Sequence, residues 1–420
     1  MVPVRDSLAL VLAGGEGRRL SPLTRERSKP AMYFGGRYRL IDFVLSNLVN
    51  SGYQQIRVLT QYRATSLIRH LSRAWSLGGV LDASIDPVPA GQNIGPFWFR
   101  GTADAIFQNL DLLRELRPKD VAIFGSDHVY KMDVSAMLDH HRDSEADLTV
   151  ATLPVPRKTA RDFGCVKVDQ SGRVIDFMEK PADPPAVPGD PDSTLVSMGN
   201  YLFRTPVLLE ELRRDAGMQE TETTHDFGRD VLTTAHKRMK VMAYDFASQV
   251  CPGESERTRG YWRDVGSLDA FFEANLDLIS VDPRLNLYND AWPIRGTQPP
   301  SGPCKFVFAD EADGRVGRAI DSIVGSGSII SGGTLERTVC FYRVRVNSYS
   351  HVSESVLFPT VDVGRGAKLR RCIVDKGVRI PAGEKIGFDL ERDRKRFTVS
   401  ENGVVVVTRE DFGQRDEFDV

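Results

Sequence analysis

Cysteines are few, long apolar runs are missing, and the net charge is close to zero. Five cysteines in 420 residues (Cys165, Cys251, Cys304, Cys340 and Cys372) stand singly, with no Cys-x-x-Cys pair. That usage suits a reduced, cytoplasmic chain rather than a disulfide-stapled one. No apolar run approaches the roughly 20 residues of a membrane span, and no signal-peptide pattern opens the sequence. A net charge of -2 argues against nucleic acid or an anionic membrane as partner, although local arginine clusters can still hold small phosphates. None of the seven histidines has the spacing of a zinc site, and His-Glu-x-x-His is absent. Without Gly-x-Ser-x-Gly, covalent acyl chemistry has no support. The first glycine loop also lacks the Lys-Ser or Lys-Thr of a phosphate loop and the spaced glycines of a dinucleotide site.

What is present is an ordinary soluble composition, 41% apolar and 27% charged, over a length that suits two domains. The first two-thirds alternates strand-like and helix-like segments. Leu8 to Ala13 reads as a buried parallel strand, Leu40 to Val49 as a helix stopped by Gly52, and Ile56 to Thr60 as the next strand. "TADAIFQNLDLLREL" reads as one helix with Ile106, Leu110 and Leu113 on one face, ending before Pro118. "DVAIFGSDHVY" reads as another buried strand, and "CVKVDQSGRVIDFMEK" as a hairpin about Ser171-Gly172. The alternation predicts an α/β fold with a mostly parallel, Rossmann-like sheet. Pro181 to Pro191, rich in proline, reads as an irregular surface loop.

The tail keeps a different period. Val344, Val361 and Val378 are 17 residues apart, as are Val346, Val363 and Ile380. Val352, Leu369 and Ile386 repeat the step, and so do Val339, Val356 and Ile373. Coils of three short strands, with one aliphatic side chain pointing inward per six residues, make a parallel β-helix. These patterns divide the chain into residues 1–290, a Pro- and Gly-rich linker at 291–303, and a β-helix at 304–420.

The chemistry gathers around "LVLAGGEGRRLSPLT". Consecutive N–H groups about Gly14, Gly15 and Gly17 make a concave anion site, because glycine lets the backbone approach closely. Arg18 and Arg19 follow, and "RSKP" brings Arg27 and Lys29 within reach of the same mouth. So much fixed positive charge suits a triphosphate, although the loop alone is equally a tight turn with solvated arginines. Asp127 follows the apolar strand "VAIF", where parallel sheets bind ligands. Asp264, in "GYWRDVG", is a second carboxylate, and two such groups facing a phosphate site could hold Mg²⁺. Either aspartate could instead form a turn, and Asp133 reads as a helix cap. The Glu179-Lys180 pair could serve sugar hydroxyls and a sugar phosphate, or be a surface ion pair. The neighbours His140 and His141 cannot share one helix face and read as solvated, and His225 reads as ordering a turn.

Taken together, "LVLAGGEGRRLSPLTRERSKPAMYFGG", "RLIDFVLSN", "TQY", "WFRGTADAI", "GSDHVY", "EKPADPP", "SMGNYLF", "HDFGRD" and "YWRDVG" resemble the bacterial ADP-glucose pyrophosphorylases, or glucose-1-phosphate adenylyltransferases, along nearly the whole chain. The resemblance implies a nucleotidyltransferase domain followed by a left-handed β-helix, with ATP and glucose 1-phosphate as substrates, Mg²⁺ as cofactor and a cytoplasmic homotetramer under allosteric control. It implies that Gly14, Gly15 and Gly17 cradle ATP, that Arg19 and Lys29 hold its phosphates, and that Gln61, Trp98 and Gly101 lie by the nucleotide. Asp127 and Asp264 would bind the metal. Lys180 would grip the sugar phosphate, with Phe99, Glu179, Gly164 and Ser197 lining the sugar side; Arg19, Asp127 and Lys180 would carry catalysis. Anionic metabolite effectors would meet Arg27, Arg39 and Lys376.

Four positions depart from the family pattern: Glu16 where a basic residue is common, Phe99 where tyrosine is, Ser126 in "GSDH", and Glu26 where some relatives carry a lysine. Glu26 weakens the local positive potential, which favours a singly phosphorylated activator such as fructose 6-phosphate. Three other readings stand beside this one. A uridylyl- or thymidylyltransferase would share the loop and the sheet. A β-helix acyltransferase would have His351 as its only candidate base. A non-catalytic regulatory subunit would usually have lost Asp127 or Lys180.

Overall fold

The computed structural model describes residues 4–76, 83–91, 98–219, 221–310 and 312–414. At the centre of a nine-stranded sheet, the apolar strand Val4–Ala13 runs parallel to Tyr53–Thr60 on one side and Asp120–Gly125 on the other. Its residues Leu8 to Val11 are buried, as a strand covered on both faces requires. Only Ser193–Arg204 and Val174–Glu179 run against the other strands, so the sheet is mostly parallel. The central strands therefore end together, at Ala13, Thr60 and Gly125, on the edge where such sheets bind ligands.

Local chemistry explains the elements around that edge. Helix Leu40–Asn50 begins where Oδ2 of Asp42 accepts the Arg39 N–H at 2.8 Å. It stops before Gly52, whose φ of 88° an L side chain rarely adopts. The hairpin turns where Oδ1 of Asp169 accepts from the Ser171 and Arg173 N–H groups. Oδ1 of Asp133 caps the helix Val134–Asp143.

Three readings from sequence are corrected. The "TADAIF…REL" segment is two helices, Thr102–Phe107 and Leu110–Leu116, because the Asn109 side chain bonds the Ala105 carbonyl at 2.8 Å and breaks the run; Leu110 is only partly buried. "DVAIFGSDHVY" is two strands, Asp120–Gly125 and His128–Tyr130, with Asp127 in the gap between them. His141 is buried rather than solvated, because its Nδ1 lies 2.7 Å from the Thr149 hydroxyl of a neighbouring strand.

Beyond residue 304 the chain winds into three mostly parallel sheets, in which the 17-residue step holds over the central coils: Val346 pairs with Val363 and then Ile380, Val352 with Leu369 and then Ile386, and Val339 with Val356 and then Ile373. The first two ladders, and Val344, Val361 and Val378, fill the coil interior. The ladder Val339, Val356 and Ile373 does not. Adjacent strand residues face opposite ways, so Cys340, Leu357 and Val374 point inward while Val339 and its partners face out. That outward ladder joins Phe34, Phe43 and Phe271 in one shared core. Edge-on rings seal it: Tyr33 lies 5.4 Å from Phe358, and Phe271 lies 6.1 Å from it. Each such pair is worth about 0.5–1.5 kcal/mol beyond its buried area. The coil is thus welded to the segment that carries Arg27, Lys29 and Arg39.

Candidate active site

A cavity of about 780 Å³ opens at the carboxyl edge of the sheet, floored by Ala13, Gly125 and the glycine loop. The loop turns back at Gly17, whose φ is 70°. A Cβ there would also stand 2.9 Å from Cβ of Lys29, so glycine serves both the left-handed turn and the close approach. That approach brings Lys29 into the cavity. Its Nζ donates to Oδ2 of Asp127 at 2.9 Å and lies 3.4 Å from Oδ1 of Asp264. The two aspartates, 137 positions apart in sequence (264 minus 127), are drawn together by the pairing of His128–Tyr130 with Trp262–Asp264, which sets Asp264 opposite His128. Burial works to raise the Asp127 pKa, but the His128 imidazole and the Lys29 ammonium outweigh it and hold the carboxyl well below its usual range. Asp127 is therefore a fixed anion at neutral pH. Ser126 steadies its turn by donating to the Leu12 carbonyl at 2.6 Å, so the serine of "GSDH" ties the aspartate to the glycine strand.

Arg19 lines the same cavity. A Cβ at Gly266 would lie 2.7 Å from its Nη2 and 2.9 Å from both oxygens of Asp264, so arginine and carboxylate flank one bare glycine. Arg18 also faces the cavity, but its Nε is paired with Glu16 at 2.6 Å on an exposed surface. Arg27 does not reach this mouth, contrary to the sequence reading. Its side chain is buried and bidentate to Asp375 of the β-helix, at 2.7 and 3.2 Å, and it also donates to the Leu23 carbonyl.

On one side, Gln61 and Phe99 meet where the Gln61 amide reaches the Phe99 carbonyl at 3.4 Å. Trp98 is exposed and stands outside the cavity lining. Gly101 lies so close to the neighbouring loop that a Cβ would come within 2.2 Å of the His225 carbonyl oxygen. That carbonyl accepts the Ala103 N–H at 2.8 Å, and Thr102 bonds both Asp226 and the Phe227 N–H. His225, buried with Nδ1 2.7 Å from Asp215, does order this turn.

On the other side, Gly164 leaves the space that Glu179 fills; a Cβ there would stand 3.0 Å from Oε2 of Glu179. Burial raises the Glu179 pKa, and Asp226 adds to the effect. The Ser197 hydroxyl accepts the Gly199 N–H at 3.2 Å and faces the Tyr201 hydroxyl. Lys180 remains on the rim: its side chain is 62% exposed, its Nζ is 4.0 Å from Glu179, and it is outside the cavity lining. Among the effector candidates, Arg27 and Arg39 share the Tyr33 ring, at 5.9 and 5.0 Å, and exposed Lys376 follows Asp375 directly. His351 sits far along the coil beside Glu336 and outside this cavity.

Sequence reasoning passed over His128, Tyr201, Asp226, Trp262 and Gly266, all of which line the cavity. A signal existed for three of them, since His128 and Trp262 flank the chosen aspartates and Asp226 follows His225. Among the described residues no three His, Cys, Asp or Glu side chains gather as a metal cluster, and no helix is long and apolar enough to cross a membrane.

A nucleotidyl transferase family model matches residues 8–281, and a GlmU-like, C-terminal hexapeptide model matches residues 302–407. With the three mostly parallel sheets, the second match makes the coil a left-handed β-helix. The chain is 54% identical over 403 residues to the glucose-1-phosphate adenylyltransferase of Anaeromyxobacter sp. (strain Fw109-5), covering 96% of this chain and 98% of that one. It is 51% identical over 410 residues to the enzyme of that name from Frankia casuarinae, covering 97% and 98%. The enzyme of that name from Dechloromonas aromatica is 49% identical over 412 residues, at 98% and 92% coverage. With both regions matched and identity near one half over almost its full length, the chain belongs to the glucose-1-phosphate adenylyltransferase family.

Proposed function

We propose that this chain transfers the adenylyl group of ATP to α-D-glucose 1-phosphate, releasing pyrophosphate and making ADP-glucose for α-glucan (glycogen) synthesis. The observation that carries the reading is the Asp127–Lys29–Asp264 constellation, set between a glycine-loop anion site and a pocket bearing Glu179 and Ser197. The loop N–H groups, Arg19 and Lys29 hold the triphosphate, and the rim about Gln61, Trp98 and Gly101 faces base and ribose, with Phe99 on the sugar side. Glu179 accepts from sugar hydroxyls, while Lys180 swings from the rim onto the sugar phosphate. A phosphate oxygen of the sugar then attacks the α-phosphorus in line. That nucleophile is already an anion, so no strong base is needed, and catalysis is positioning with charge neutralisation.

The donor set fits a Mg²⁺ ion. Two carboxylates already converge on one positive charge, the Lys29 ammonium, and Mg²⁺ asks for one or two carboxylates with substrate phosphates completing its shell. Asp127 and Asp264 would hold it, and it would supply charge neutralisation along the triphosphate. Pyrophosphate release, measured with each nucleoside triphosphate against a panel of sugar 1-phosphates, tests the reading. ATP with glucose 1-phosphate should dominate. Preference for UTP or dTTP would instead make the chain a uridylyl- or thymidylyltransferase.

Regulation in a cytoplasmic homotetramer belongs to the same proposal. The Arg27–Asp375 pair joins the β-helix to the segment that leads to Lys29, with Arg39 beside Arg27 on the Tyr33 ring and Lys376 next to Asp375. A singly phosphorylated sugar such as fructose 6-phosphate should raise activity several-fold, within couplings of about 1–3 kcal/mol. Arg39→Ala should lose most of that rise. Arg27→Ala is the poorer test, because stranding Asp375 in its buried pair costs about 3–5 kcal/mol. Unchanged rates and KM values across a panel of glycolytic metabolites would remove the effector site.

A further inference from the structure

We propose that His128 is a positioning residue for nucleotidyl transfer: its ring, wedged against Trp262, holds Nε2 toward Oδ1 of Asp127 and so keeps Oδ2 turned to Lys29 and the cavity. The inference rests on the reading of Asp127 as the carboxylate that meets the cation and the triphosphate.

Nothing in an aspartate side chain fixes its last torsion, which is broad and two-fold. Here the two oxygens have different neighbours. Oδ2 accepts from Lys29 at 2.9 Å, while Oδ1 lies 3.6 Å from Nε2 of His128, beside the bare Gly125. The histidine has little freedom to leave. Its strand is paired to Trp262–Asp264, and its ring packs on Trp262 with centroids 4.9 Å apart and planes at 53°. Its Cε1 edge faces Gly125 and Gly199, where an added Cβ would come within 3.6 and 3.7 Å.

The other ring nitrogen settles what Nε2 does. Nδ1 is buried with no partner, so a proton placed there would be stranded, whereas one on Nε2 faces a carboxylate. A proton on Nε2 therefore faces Oδ1 of Asp127, and the separation of 3.6 Å can close when a phosphate is bound. No proton is transferred in this role. A partner that orients a metal-facing ligand is typically worth about 10–100-fold in metal affinity or activity.

The test is Mn²⁺ binding to the whole chain, followed by electron paramagnetic resonance with and without ATP, alongside separate KM and kcat values. His128→Phe keeps a ring against Trp262 but loses the nitrogen, and His128→Gln can return an N–H near the position of Nε2. His128→Phe should weaken Mn²⁺ binding about tenfold and lower kcat, with the KM for glucose 1-phosphate unmoved; His128→Gln should recover most of both losses. Wild-type Mn²⁺ binding by His128→Phe overturns the proposal, and so does equal loss in both variants. Asp127→Asn is the control. If it too binds Mn²⁺ like wild type, the reading of Asp127 itself fails; if only His128→Phe does, the positioning role alone fails.

Discussion

Asp127→Asn should keep the fold and lose about 10²–10³-fold in kcat, the usual loss for one electrostatic stabiliser. The fold should survive because the side chain is partly exposed, at 37%, and packs into no apolar cluster. The turn that carries it is held by the Ser126 hydroxyl on Leu12. The loss should be large because Asp127 is the closer of the two carboxylates on the Lys29 ammonium, and its lowered pKa makes it a fixed charge at working pH. Asparagine preserves shape and one acceptor oxygen, so the effect isolates charge. Steady-state turnover with a thermal melt checks this, and near-wild-type kcat in a folded variant removes Asp127 from the mechanism.

Lys180→Ala should raise the KM for glucose 1-phosphate about ten- to a hundredfold while moving the KM for ATP much less. A charge-assisted contact to a phosphate is worth about 1.5–3 kcal/mol. The residue suits the experiment because its ammonium is on the rim, bonded to nothing buried, so truncation should not disturb the core. Its backbone is the fixed part: the Lys180 N–H donates to the Phe163 carbonyl at 3.1 Å, and φ is 48°. Alanine keeps that N–H. Initial rates over both substrates decide it, and equal shifts in the two KM values would assign Lys180 to the nucleotide or to structure.

The sequence made the central strand, its glycine loop and the two candidate aspartates legible, because short-range patterns mark them: an apolar run, glycines at its end, an aspartate after a strand, and another beside an aromatic pair. The β-helix was legible for a similar reason, since a 17-residue step repeated in four ladders needs no knowledge of distant contacts. What escaped depends on partners far away in sequence. The outward ladder of Val339, Val356 and Ile373 has the same period as the inward ones, and only the Phe34 and Phe271 rings reveal which way it faces. Arg27 and Lys29 sit two residues apart in one basic run, yet one pairs with Asp375 and the other with Asp127. His141 looked solvated until Thr149 of a neighbouring strand supplied its partner. The break at Gln108 and Asn109 came from a side-chain hydrogen bond that competes with the helix, which apolar spacing does not reveal.

The most direct measurement of the central claim follows the two ends of ATP separately in the presence of glucose 1-phosphate. A radiolabel on the α-phosphorus should leave in a sugar nucleotide, and a label on the γ-phosphorus should leave in pyrophosphate, at equal rates and only when the sugar phosphate is present. If the γ-label appears on the sugar, or if pyrophosphate forms without the sugar phosphate, the assignment of adenylyl transfer is wrong.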